Sequence, residues 1–168
     1  MNTIAIKQNI HAVEKQLHDL QTKVGCTLPI AYSQFLLKSV ELKPDINYKL
    51  GQHYVNNQLA ETLIFGRLYA LDMVQKQFSE YSYFAENRID LYDKTVLIGE
   101  DVNNGYFYLR VINDSNYEIG YWDTDYIMSD YQEETDDNEL INERMNPHNT
   151  YHIADTLSDF LNAWALID

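Results

Sequence analysis

Few residues in this chain of 168 stand where chemistry would need them. His148 and His152 are four positions apart, the spacing of a metal-binding pair on a helix. Pro147 and Asn149 place the pair at a helix entrance, however, so both read as loop histidines. Asp101-Val102-Asn103-Asn104-Gly105 resembles a calcium loop, but its glycine falls at the fifth position, where an EF-hand needs it at the sixth. Tyr106 to Val111 then alternates as a strand does, and the stretch reads as a hairpin turn. Asp123 and Asp125 offer a carboxylate pair for acid–base work, or equally a solvated strand edge. Cys26 has no histidine near it in sequence and reads as a small buried hydrophobe. The chain contains no G-x-S-x-G, no G-x-x-x-x-G-K-S/T and no G-x-G-x-x-G. The expectation is a protein that is not an enzyme and calls for no cofactor and no metal.

What the residues do offer is charge. Between Arg110 and Arg144 there are eleven carboxylates and no lysine or arginine: Asp114, Glu118, Asp123, Asp125, Asp130, Glu133, Glu134, Asp136, Asp137, Glu139 and Glu143. Residues 1–84 carry 8 basic and 7 acidic side chains (+1), whereas residues 85–168 carry 4 and 19 (−15). A field of one sign over one part of a surface draws in basic proteins and repels nucleic acid and anionic lipid. Tyr117, Tyr121, Tyr126 and Tyr131 stand among these acids with Trp122. The run reads either as a solvated loop that keeps the protein soluble or, since aromatic anchors ringed by one sign of charge suit it, as a site for a basic protein, with area from the rings and steering from the acids.

The elements that would position these residues follow from periodicity. Ile6, Ile10, Val13, Leu17, Leu20 and Val24 make one apolar stripe, a helix that Gly25 should stop in a left-handed conformation. Thr27-Leu28-Pro29 opens a second helix to about Ser39, capped by the threonine and burying Ile30, Phe35, Leu36 and Val40. A strand spans about Glu61–Phe65 and ends at Gly66, and a helix runs from Leu71 to about Phe84, with Leu71, Val74 and Phe78 inward. A meander follows. Thr95–Glu100 is a strand, Asn104-Gly105 is a two-residue type I′ turn, and Tyr106–Ile112 directs Phe107, Leu109 and Val111 to one face. A turn at 113–116 then leads into a strand from Tyr117 to Trp122. Residues from about 125 to 149 read as an acidic loop or insertion, and a last helix from Ile153 to Ala165 buries Ile153, Leu157, Phe160, Leu161 and Trp164. This is α+β, a single compact domain over 1–168, whose twisted and mainly antiparallel sheet is flanked by N-terminal and C-terminal helices. An apolar content of 45% suits a packed core. One cysteine, no apolar h-region and no bilayer-length apolar run lead us to expect a soluble cytoplasmic protein.

Val24-Gly25-Cys26-Thr27-Leu28-Pro29 with Tyr32, Phe35 and Leu36 resembles the opening block of the SUKH superfamily. Val96-Leu97-Ile98-Gly99, Tyr106-Phe107-Tyr108-Leu109 and Tyr121-Trp122-Asp123 resemble its central block. Ile153-Ala154-Asp155-Thr156-Leu157-Ser158-Asp159-Phe160-Leu161 is similar to its last. The three blocks stand in the family's order and cover most of the chain. Two features depart from it: Ser39-Val40-Glu41-Leu42 replaces a glycine-rich turn, and the stretch from Ser129 to Asn149 is longer than usual. The resemblance implies a non-catalytic α+β domain. Bacterial members are mostly immunity proteins against secreted toxins, many of them nucleases, while fungal members regulate cell-wall assembly through protein contacts. It therefore implies either an immunity protein that binds and neutralises a cognate toxin by stoichiometric occlusion, or a regulatory module docking a host protein. A nuclease toxin must be basic to hold phosphates, which agrees with the acidic half of this chain. The residues expected to touch the partner are Tyr121, Trp122, Asp123, Asp125, Tyr126, Asp130, Glu133 and Glu134, an assignment from charge and aromaticity that the resemblance does not supply. Oligomeric state is open at this level.

Overall fold

The computed structural model describes residues 3–38, 48–50, 54–55, 58–59, 63–85, 94–103, 105–122 and 150–166. The apolar stripe at the start forms helix α1 (Thr3–Val24), with Leu17, Leu20 and Val24 buried and Val13 packed against them. The side chains of Ile6 and Ile10 are outside the described set. Gly25 ends α1 with φ +78°, as expected. The Gln21 carbonyl there accepts from the N–H groups of Gly25 (3.0 Å) and Cys26 (3.2 Å). The Gln21 side-chain oxygen takes the Leu28 N–H at 2.8 Å, so one residue fastens the whole turn into α2 (Ile30–Leu37). Pro29, not Thr27, occupies the N-cap, and no side chain caps it. The buried face of α2 is Tyr32 and Leu36, one turn apart, with Phe35 part-buried beside them. Ile30 is 77% exposed, because two residues from Tyr32 turn it about 200° around the helix. Val40 lies outside the described residues.

Three short strands follow: β1 (Tyr48–Leu50), β2 (Tyr54–Val55) and β3 (Gln58–Leu59), the last two paired as a hairpin. The next strand, β4 (Phe65–Leu68), does not stop at Gly66 but runs through it, with a bulge between Phe65 and Arg67; Glu61 is outside the described residues. Helix α3 (Leu71–Ala85) buries Leu71 and Val74.

Strands β5 (Thr95–Asp101), β6 (Tyr106–Asn113), β7 (Asn116–Trp122) and β8 (Thr150–Ala154) join β4 in one antiparallel sheet of order β4-β5-β6-β7-β8. The β6–β7 turn is held by the Asn113 side-chain oxygen, which accepts from Ser115 N–H (3.0 Å) and Asn116 N–H (3.1 Å). The C-terminal segment departs from the single helix that its spacing suggests. Residues 150–154 pair with β7, and helix α4 covers only Leu157–Asn162. The chain then extends into β9 (Trp164–Leu166), which pairs with β1. Thr156 marks the switch: its hydroxyl oxygen accepts from Asp159 N–H at 3.0 Å and its O–H donates to the Asp159 carboxylate at 2.6 Å. Leu157 and Phe160 are buried, whereas Leu161 is exposed. An aromatic cluster joins these elements. Phe107 lies 5.3 Å from both Phe160 and Trp164, and Trp164 sits edge-on to Phe65 at 4.7 Å. Such pairs add about 0.5–1.5 kcal/mol each beyond their burial. The fold is α+β, a five-stranded antiparallel sheet with helices at both ends of the chain.

Candidate partner-binding site

Tyr121 and Trp122 are neighbours on β7 and therefore point to opposite faces of the sheet. Neither is a surface anchor: Tyr121 is 6% exposed and Trp122 5%, because β7 is paired on both edges and side chains pack over both its faces. Tyr121 enters the aromatic cluster, its ring 5.5 Å from Phe107. Its hydroxyl donates to the Asp101 carboxylate at 3.0 Å. Trp122 lies against Tyr106 on the other face, with ring centroids 5.9 Å apart. The remaining expected contacts, Asp123, Asp125, Tyr126, Asp130, Glu133 and Glu134, lie outside the described residues.

The partner of Tyr121 was not singled out by its chemistry. Asp101 is 4% exposed, and its second oxygen accepts from the N–H groups of Asn103 (2.9 Å) and Gly105 (2.7 Å). Burying a carboxylate is costly unless several donors surround it, and here the loop that follows supplies two of them. Asp101 N–H also donates to the Gly105 carbonyl at 3.0 Å, and Val102 N–H to the Ile64 carbonyl at 3.1 Å. The β5–β6 connection is thus a loop closed by Asp101 and not the two-residue type I′ turn that Asn104-Gly105 suggests. Gly105 does not adopt positive φ. It is glycine because a Cβ there would run into the Tyr121 ring. The available signal was the acid two residues before Asn103 and four before Gly105, the offsets at which an Asp closes its own loop.

The sheet face shared by Trp122 and Tyr106 carries paired charges. Arg67 Nε donates to Glu100 at 2.7 Å, and the Tyr69 hydroxyl donates to the other Glu100 oxygen at 2.6 Å. Arg67 also lies over the Tyr69 ring, 5.5 Å from its centroid. Burial and that Glu100 bond push the Tyr69 phenol well above its usual range. Two strands away, Arg110 meets Glu118 at 2.6 Å, and His152 stands 4.0 Å from Glu118 and 3.4 Å from Asp155. Burial and then the nearby Glu118 charge push Tyr108 up to about 12. Its ring lies where a side chain on Gly120 would otherwise stand. Of the eleven acids in the basic-free run, Glu118 is therefore neutralised within the sheet, Asp114 sits on the β6–β7 turn, and the other nine lie outside the described residues.

Register places the ends of these strands together. Glu100 pairs with Tyr106, Tyr106 with Trp122, and Trp122 with Thr150. The β5–β6 loop, the exit of the chain from β7 toward Asp123 and its return into β8 thus share one end of the sheet. Among the described residues, no helix is long and apolar enough to cross a membrane.

The model of the SMI1 / KNR4 family (SUKH-1) matches residues 11–163. No curated protein and no solved structure matches the chain.

Proposed function

The chain belongs to the SMI1 / KNR4 (SUKH-1) family, and from that premise we propose that it is an immunity protein that binds and neutralises a cognate toxin by stoichiometric occlusion. The toxin is a basic protein, of the kind a nuclease must be to hold phosphate. The observation that carries this reading is the charge division: +1 over residues 1–84 and −15 over residues 85–168. Nine of the acids follow Trp122 without an intervening basic residue before Arg144, so they enter the chain directly at the end of β7. Asp123, Asp125, Tyr126, Asp130, Glu133 and Glu134 are the proposed contacts. Tyr121 and Trp122 support them from inside the fold. A surface of this sign speeds encounter with a cationic partner and occupies the groove that substrate phosphates would enter.

The family premise supports protein recognition. The test is an inhibition titration of the toxin domain by the purified protein. Residual toxin activity should fall linearly and reach zero at equimolar addition. Inhibition that needs a large molar excess, or that turns over catalytically, would remove occlusion as the mechanism.

A further inference from the structure

We infer that the outward face of α2, built on Ile30, Gln34 and Leu37, is a self-association surface, and that its occupant is α2 of a second copy of this chain packed antiparallel about a two-fold axis. The inference is independent of the toxin reading above. Helix α2 reads IAYSQFLL, apolar at six of its eight positions, and a helix that is apolar all round belongs in an interior. Its inner side is used: Tyr32 and Leu36 are buried and Phe35 is part-buried. Its outer side faces solvent. Ile30 is 77% exposed and Leu37 39%, with Ala31, Gln34 and Lys38 exposed beside them. Helix α1 supplies the contrast, since its exposed positions include Glu14, Lys15, His18, Asp19 and Lys23.

Charge selects a second copy as the occupant. The chain carries −14, so two copies repel wherever their carboxylates meet. Residues 20–40 contain no carboxylate, the longest such run in the chain, and hold Lys23 and Lys38. Helix α2 lies inside this run and is the element on which one copy meets another with least repulsion. The order of its outer residues is also self-complementary. Ile30, Gln34 and Leu37 follow at steps of four and three along one stripe, about 10 Å from end to end. In an antiparallel pair, Ile30 of one copy meets Leu37 of the other, and the two Gln34 side chains meet at the axis. A primary amide carries both donor and acceptor, so it pairs with its own image, as an isologous contact requires. One short helix covers far less than the roughly 800 Å² that each partner gives to a stable complex. The dimer is therefore weak, with a Kd on the order of 0.1–1 mM.

The experiment is sedimentation equilibrium of the full-length protein up to about 1 mM, the top of that range. It is run in about 0.01 M and about 1 M salt, between which the Debye length falls from about 30 Å to about 3 Å. The mass should move toward a dimer's at high salt and associate about tenfold more weakly at low salt, the opposite of a charge-steered toxin complex. Amide resonances of Ile30, Gln34 and Leu37 should shift with concentration. Ile30→Glu and Leu37→Lys should each weaken association by about tenfold or more. The first puts an acid in the opening turn of α2, where the helix dipole favours it, so a lost dimer is not a lost fold. Mixed together, the two variants should associate more tightly than either alone, because the new glutamate then faces the new lysine while the other end keeps its native contact. A chain that stays monomeric at the highest concentration and salt overturns the inference, as does association that Ile30→Glu leaves intact. Mixed variants no tighter than either alone overturn the antiparallel pairing. Retention of a different protein by the native chain and not by Ile30→Glu, with the purified chain monomeric throughout, would give the face to that protein and overturn the contact between copies.

Discussion

At Gly25 the backbone has φ +78° and nothing lies within 4 Å of where a Cβ would stand, whereas at Gly105 a Cβ would enter the Tyr121 ring. Gly25→Ala should therefore cost about 1–2 kcal/mol, the left-handed penalty of an L-residue, and leave the core intact. Gly105→Ala should cost at least as much, about 1–3 kcal/mol or more for forcing an overpacked contact, and should also move Tyr121. Urea midpoints give both costs, and near-UV circular dichroism should change only for Gly105→Ala. Tyr121→Phe keeps the ring but removes a donor from the buried Asp101, with an expected loss of about 1–3 kcal/mol. Tyrosines also set a pH limit. Unfolded tyrosines release their protons near pH 10.0, whereas folded Tyr108 holds its own to about 12, and burial carries Tyr32 and Tyr69 higher still. Folded protein thus binds more protons than unfolded above pH 10, so this stability is fully present below pH 10 and is lost as pH rises. Each retained proton makes the slope steeper by up to about 1.4 kcal/mol per pH unit. Urea unfolding at a series of alkaline pH values should show the decline, and Tyr108→Phe should make it shallower. An unchanged slope in that variant would contradict the assignment.

At the scale of elements, the short helix α4 hangs on its cap. Thr156→Ala should cost about 1 kcal/mol, read as a drop of roughly 2–4 °C in Tm for a protein of this size. Trp164 fluorescence should report the same transition, since α4 seats Phe160 against that ring at 5.6 Å. This helix also shows where local sequence stops being informative. Ile153, Leu157, Phe160, Leu161 and Trp164 have helical spacing, yet 150–154 is taken by the edge of β7, a pairing that no periodicity within the segment reveals. By contrast α1 and α3 were legible because a long apolar stripe needs only one partner surface, and Gly25 because a left-handed stop is a local requirement. Asn104-Gly105 marked the right place for a turn but the wrong kind, since the determinant was Asp101 together with a ring from β7. Likewise Tyr121 and Trp122 were legible as important aromatics. Their burial depends on β8, which arrives after 27 intervening residues, 123–149.

Over the whole molecule, the N-terminal half supplies a nearly neutral helical part and the C-terminal half the charge. The acidic character was fully legible, being a matter of counting, whereas the pairing of Glu118 with Arg110 and His152 required strand register. If the acids that follow Trp122 steer the toxin, replacing four of them together (Asp123→Asn, Asp125→Asn, Asp130→Asn and Glu133→Gln) should slow association by about tenfold or more at low salt and change little in melting temperature. The native association rate should fall as ionic strength passes about 0.15 M, where the Debye length is about 8 Å. The most direct measurement is capture of binding proteins from the source cell's lysate and secreted fraction, at low and at high salt, identified by mass spectrometry. The expected result is a basic toxin domain retained at low salt, weakened at high salt, and silenced by an equimolar amount of this protein. Recovery of only host regulatory or envelope proteins, or of a toxin domain whose activity persists in the complex, would contradict the immunity function.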